Sequence, residues 1–212
     1  MNTSMEPDTS NFKPVGGSLC LDFTNTVNWR GIDTPEELLN SYDELLIWAK
    51  HMKVLNEKDY KALLHTASQS PAQAMSIYNR AIALRESIYH IFAAISQEEV
   101  PRKDDVDVLN EELSIAYNHL KLQYSEQGYS LEFRSDRAEL DQILWFIAKS
   151  ASDLLISDKL NKVKKCISEE CGWLFLDMSR NQSRRWCDMK TCGNRMKAQR
   201  FYERTTTPVN PK

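Results

Sequence analysis

Four cysteines fall within 27 positions near the end of this chain, as C-x4-C at Cys166 and Cys171 and again at Cys187 and Cys192, with fifteen residues between the pairs. A short loop closed by two thiolates folds back over a cation, and two such loops supply the four soft ligands that zinc takes in a tetrahedron. All four histidines, His51, His65, His90 and His119, lie elsewhere in the chain, so the ligand set reads as four sulfurs. Such a shell leaves no position for a water, so a single zinc held this way is structural and not catalytic. The fifth cysteine, Cys20, stands in the apolar run 18–23 and reads as a small buried hydrophobe.

Cations surround the second pair. Residues 162–204 hold eleven Lys/Arg against five Asp/Glu, whereas residues 1–161 hold 15 against 25. Two parts of opposite sign suggest two tasks. Arg180, Arg184 and Arg185 fall on the turn and returning strand expected between the pairs, and Lys190 lies between Cys187 and Cys192. Asn194, Arg195, Lys197, Arg200 and Arg204 fall on a breaker-free helix expected from Gly193. These residues are candidates for DNA, because lysine and arginine that neutralise phosphates release counterions and bind with a steep salt dependence. Asn194 and Arg195 could also meet base edges, where Asn suits adenine and Arg suits guanine, or instead brace the zinc loop by hydrogen bonds. The competing readings of the basic face are a solvated surface and a zinc-stabilised module that docks a protein. Four thiolates and one zinc dication also subtract about two charges from the local excess. Cations beside thiolates favour a third reading, a redox sensor acting through the zinc sulfurs.

Enzyme readings find no support: the chain has no Gly-rich phosphate loop, no nucleophile elbow and no HExxH. It is therefore expected not to be an enzyme. A regulator needs an input, and SLCLDFTNTVNWR offers Asp22, Asn25, Thr26 and Trp29, which a helix would gather into a small-molecule effector pocket. The same residues could equally cap or brace a core.

The elements that must position these groups are mostly helical. Thr34-Pro35-Glu36-Glu37 has the form of a capping box, and Ser41 with Glu44 repeats it. Asn56 with Asp59, Pro71, and Asp104 or Asp105 mark further helix starts. Behind Pro71, Ala74, Tyr78, Ala81, Leu84, Ile88, Ile91, Phe92 and Ile95 line one side of a long helix. Around Gly128 the period changes to two, with Leu120, Leu122 and Tyr124 answered by Tyr129, Leu131 and Phe133, which predicts a hairpin. Helical spacing returns over 136–156. Between the cysteine pairs, Trp173–Leu176 reads as a strand, 177–183 as a turn and Arg184–Cys187 as its return. The expected fold is mainly α: a helical bundle with a small β-hairpin, followed by a treble-clef-like four-cysteine zinc finger. In so small a finger the metal supplies most of the folding free energy, so loss of zinc is expected to unfold this end first.

The N-terminus has no basic start or apolar run, and no stretch reaches 18 apolar residues, so a cytoplasmic protein with no membrane contact is expected. The divisions expected are a loose N-terminus over 1–15, a helical domain over 16–160, the finger over 161–205 and a tail over 206–212.

The run 166–204, with both cysteine pairs, Trp173 to Asp177, Arg184-Arg185-Trp186 and Cys192-Gly193-Asn194-Arg195, resembles the CGNR zinc finger. Upstream, GGSLCLDFTNTV and the helices after it resemble the ABATE domain, which accompanies this finger in bacterial stress-induced transcription regulators. The resemblance implies one structural zinc, DNA as partner and a role in stress response. It leaves the operator, the effector and the oligomeric state open.

Overall fold

The computed structural model describes residue 9, residues 11–134 and residues 138–206, except the side chains of residues 200 and 203–206. Seven helices and three antiparallel strand pairs make up the described chain, which is mainly α, with the four cysteines gathered near its C-terminal end.

A short helix α1 (Leu19–Thr24) is followed by the strand pair β1 (Val27–Asn28) and β2 (Glu36–Glu37). The Thr34-Pro35-Glu36-Glu37 box does not open a helix. Glu37 pairs with Val27 across the ladder, and its carboxylate is taken by Arg85 at 2.6 Å and by the Leu39 N–H at 2.8 Å, so it has no free oxygen with which to cap. The next two starts form as the sequence predicts. Ser41 Oγ accepts the Glu44 N–H at 3.2 Å to open α2 (Tyr42–His51), and Asn56 Oδ1 accepts the Asp59 N–H at 2.9 Å to open α3 (Glu57–Gln69).

Pro71 is the first residue of α4 (Pro71–Ser96), the longest helix, whose predicted apolar stripe is buried or half-buried. Helix α5 (Lys103–Asn118) begins without a side-chain cap. Asp105, expected at that cap together with Asp104, instead turns inward to His90 Nδ1 at 3.1 Å. Strands β3 (Leu120–Ser125) and β4 (Gly128–Phe133) then form the predicted hairpin, closed through Gly128 at φ +111°, a conformation that favours glycine. Helix α6 (Gln142–Leu155) completes the bundle; its expected first residue, Asp136, lies outside the described residues.

The core is built from Phe23 on α1, Leu45 and Trp48 on α2, Leu84, Ile88 and Phe92 on α4, and Ile143, Leu144 and Ile147 on α6. Three residues from beyond the bundle join it. Val163 lies on β5 (Val163–Lys165), and Leu174 and Leu176 lie on β6 (Leu174–Leu176), the strands that flank the first cysteine pair. The finger's hairpin is therefore also a wall of the bundle, with α1 packed against β6.

Of the expected loose N-terminus, residues 1–8 and 10 lie outside the described residues. Residues 11–15 are attached: Phe12 packs on the core with its carbonyl 2.9 Å from His51 Nε2, and Val15 lies against the cysteine cluster. The tail over 207–212 also lies outside the described residues. No described helix is long and apolar enough to cross a membrane.

Candidate zinc centre and nucleic-acid interface

The first two cysteines stand at either end of the turn joining β5 to β6. Cys166 N–H donates to the Trp173 carbonyl at 2.8 Å, Cys171 N–H to the Ser168 carbonyl at 2.9 Å, and Gly172 at φ +70° turns the chain into β6. The second pair is presented by a π-helical turn over Met189–Gly193, opened by Asp188, whose carboxylate accepts the Lys190 N–H and the Thr191 hydroxyl, each at 3.1 Å. From this turn rises α7 (Asn194–Thr206).

The returning strand expected over Arg184–Cys187 does not form. β6 pairs with β5, on the other side of the first cysteine turn. The loop after β6 is organised instead by buried Asp177, whose carboxylate accepts from Lys164 Nζ at 2.6 Å, Ser179 Oγ at 2.6 Å and the Arg184 N–H at 2.9 Å. With its N–H engaged by that carboxylate, Arg184 cannot continue a ladder.

The four sulfurs all lie within 4.8 Å of one another, and Cys187 Sγ is 3.6 Å from both Cys171 Sγ and Cys192 Sγ. Two ligands of a tetrahedral zinc, each about 2.3 Å from the ion, are about 3.8 Å apart, so the donor set fits one zinc. Packed this closely and buried, the four thiols cannot all lose their protons unless a cation offsets the accumulated negative charge. None of the four residues is more than 5% exposed, which shields the sulfurs from an oxidant.

The centre is held against the bundle by backbone. Arg30 N–H donates to the Cys171 carbonyl at 3.2 Å and Gly31 N–H to the Glu170 carbonyl at 3.1 Å. A Cβ on Gly31 would fall 1.7 Å from the Glu169 carbonyl oxygen, so only glycine allows this approach. Trp173 Nε1 donates to the Val27 carbonyl at 2.8 Å.

The residues proposed for an effector pocket do not assemble into one. Helix α1 ends at Thr24, before Asn25 and Thr26 could share its face with Asp22. Asn25 is a clasp: its amide donates to the Leu174 carbonyl at 2.9 Å and its oxygen accepts the Leu174 N–H at 3.0 Å, extending the sheet edge with a side chain. Thr26 Oγ1 donates to the Phe23 carbonyl and accepts from Arg85. Trp29, at φ +59°, lies under the Arg195 guanidinium at 4.2 Å and lines a cleft of about 230 Å³ beside the cysteines, with Lys13, Asn28, Trp173 and Thr191.

Asp22 accepts the Gly16 N–H at 2.7 Å, and burial pushes its carboxyl up to about 6 against that single opposing hydrogen bond. A carboxyl whose folded pKa is raised binds its proton more tightly when folded, so stability falls as pH rises from about 4 to about 6. Asp22→Asn keeps an acceptor for Gly16 and removes the charge. Urea titrations should show the variant more stable than the parent by about 1–2 kcal/mol at pH 7.5, with a smaller gain at pH 5. An equal difference at both pH values would rule out a titrating Asp22.

The predicted nucleic-acid residues divide into two groups. Arg184 is occupied within the chain: it stacks on Phe175 at 4.4 Å, and its guanidinium donates to the Trp186, Cys187, Leu176 and Val15 carbonyls. Arg195 is also turned inward, donating to Cys192 Sγ at 3.5 Å, pairing with Glu170 at 3.5 Å and covering Trp29. For Arg184 the contacts point to a bracing role in place of the expected contact with DNA, because its donors face carbonyls; of the two roles expected for Arg195, its contacts with Cys192, Glu170 and Trp29 favour bracing. Asn194 donates to the Lys190 carbonyl at 3.1 Å and remains exposed. Arg180, Arg185, Lys190 and Lys197 are exposed, and among the described residues none has a carboxylate partner. Arg200 and Arg204 lie on α7, with side chains outside the described residues.

Sequence reading missed a buried ionic network beneath the centre. Arg85 pairs with Glu37 through both oxygens at 2.6 Å and with Glu86 at 2.9 Å, and Arg30 pairs with Glu86 at 2.7 Å while covering Tyr89. A signal was present, since Arg85 falls on the α4 stripe between Ala81 and Ile88 at helical spacing.

Comparison with known families agrees with this architecture. A family model described as "CGNR zinc finger" matches residues 162–205, and one described as "ABATE: Putative stress-induced transcription regulator" matches residues 17–158. No curated protein matches the chain.

Proposed function

Because this chain belongs to the ABATE family and ends in a CGNR zinc finger, we propose that it is a transcription regulator whose finger binds duplex DNA through phosphate contacts. The observation that carries this reading is the set Arg180, Arg185, Lys190 and Lys197, four exposed cations without carboxylate partners among the described residues, all on the unit organised by the four cysteines. Arg184 and Arg195 hold that unit together, and the cations around them are left for an anionic partner. Asn194, exposed beside the fourth cysteine, is the candidate to meet a base edge with the amide groups its bond to the Lys190 carbonyl leaves open.

Held by the four thiolates, zinc would crosslink the π-turn and α7 to the β5–β6 turn. It offers no open position, so the recognition chemistry belongs to the side chains. Cys166, Cys171, Cys187 and Cys192 would hold it.

Binding of the zinc-loaded chain to random duplex should weaken steeply with salt. Four phosphate contacts give a log–log slope of about −3 to −4, and Lys190→Ala or Lys197→Ala should each reduce its magnitude by about 1. Affinity independent of salt, or no binding in low salt, would sink the proposal. Asn194→Ala should weaken a preferred site and leave random duplex unaffected; equal loss on both makes Asn194 a backbone contact.

A further inference from the structure

The β3–β4 hairpin is two-faced. Its register stacks three apolar pairs on one side, Leu120 with Phe133, Leu122 with Leu131 and Tyr124 with Tyr129, and puts Lys121, Gln123, Ser130 and Glu132 on the other. The first pair is covered, with Phe133 ring-packed on Trp145 and Phe146. The other two are not: Leu122 is 64% exposed, Leu131 57%, and both tyrosines 74%. Strict alternation of apolar and polar residues is the pattern of a sheet with one face buried, yet among the described residues only the first pair of this face is covered. A two-stranded ribbon is marginal in water unless something packs on it.

The area and chemistry of the face indicate what covers it. Two leucines and two tyrosines at these exposures present roughly 500 Å² of side chain, toward the upper end of the about 300–600 Å² of the largest apolar patch on a monomer, a patch that is often functional. Two such faces fully covered bury at most about 1,000 Å², the lower limit of a specific interface, which fits a weak, concentration-dependent dimer. The face also suits itself. Leu122, Tyr124, Tyr129 and Leu131 carry no charge, so a two-fold contact through this face desolvates no charged side chain on it.

We infer that this hairpin face is the dimerisation surface of the protein, and that its occupant is a second copy of the same chain. The inference does not depend on DNA binding and is tested without it.

The test is sedimentation equilibrium on the full zinc-loaded chain, from low micromolar to about 100 µM. The parent should approach twice the 24.6 kDa chain mass. Leu122→Lys with Leu131→Lys should sediment as a monomer with unchanged zinc content and far-ultraviolet circular dichroism. The milder Tyr124→Ser with Tyr129→Ser, at the exposed tip, should weaken association at least tenfold without touching the covered pair. Lys121→Ala with Gln123→Ala, on the polar face, should leave the dimer intact. A monomeric parent across the range, as would follow if residues 1–8 or another protein cover the face, overturns the inference. So does a dimer that persists in both apolar-face variants.

Discussion

Stripping the zinc is expected to destabilise the whole chain, not the finger alone. Read from sequence, the four cysteines belong to a small terminal unit that loss of zinc is expected to unfold first. In the fold, Val163, Leu174 and Leu176 are core residues of the bundle, and Asn25 clasps Leu174 at both its N–H and its carbonyl. The β5–β6 turn that carries Cys166 and Cys171 cannot relax without disturbing those contacts. Structural zinc held by cysteine-rich sites contributes on the order of 10 kcal/mol of folding free energy. Even a third of that would lower the melting temperature of a chain this size by about 10 °C. A high-affinity chelator should therefore shift a single cooperative melting transition downward, and Cys187→Ser should produce the same shift with zinc content falling from one per chain to none. Two transitions, with the upper one unmoved by chelation, would show instead that the bundle stands without the finger.

Arg85→Ala should be the most damaging single change within the bundle. The Arg85 side chain is 3% exposed and holds Glu37 through both oxygens, Glu86 through Nε and Thr26 through its hydroxyl. Truncation leaves Glu37 without its cation and Glu86 with only Arg30, and both carboxylates are about a third exposed. Removing one partner of a fully buried pair costs about 3–5 kcal/mol, and partial solvation of the stranded charges brings the loss here to about 2–3 kcal/mol. Denaturant midpoints should show that loss. Adding Glu37→Gln to Arg85→Ala should restore part of it, since the stranded charge is then gone. A loss under about 1 kcal/mol would mean that water reaches the network and repays the pair.

Much of this fold can be read along the chain because the signals are local. Ser41, Asn56 and Pro71 open their helices from within one turn, and the alternation around Gly128 specifies the hairpin and its register. The cysteine spacing discloses the zinc centre for the same reason, since each pair closes its own loop. The misreadings arise where a side chain is claimed by a distant partner. Glu37 looks like a cap and becomes the counter-ion of Arg85, 48 positions away. Asp22, Asn25 and Thr26 look like a pocket, but Asn25 is taken by a strand 149 positions on. Arg184 counts as a cation in composition, yet its guanidinium donates to carbonyls of Trp186, Cys187, Leu176 and Val15. Charge composition marks a basic region; only the contacts say which charges remain available.

The Asn25–Leu174 clasp has a consequence for how the chain is made. Synthesis runs from the N-terminus, at about 5–20 residues per second, and α1 emerges early, but the strand that completes its packing follows 149 residues later. Closing so long a loop is entropically slow, and contacts of such separation govern folding rate more than stability. The nascent bundle must wait with an unfilled groove where Leu174 and Leu176 belong. Ribosome-bound chains stopped before residue 163 should accordingly remain protease-sensitive and recruit chaperones, and protection should arrive only with the last quarter of the sequence.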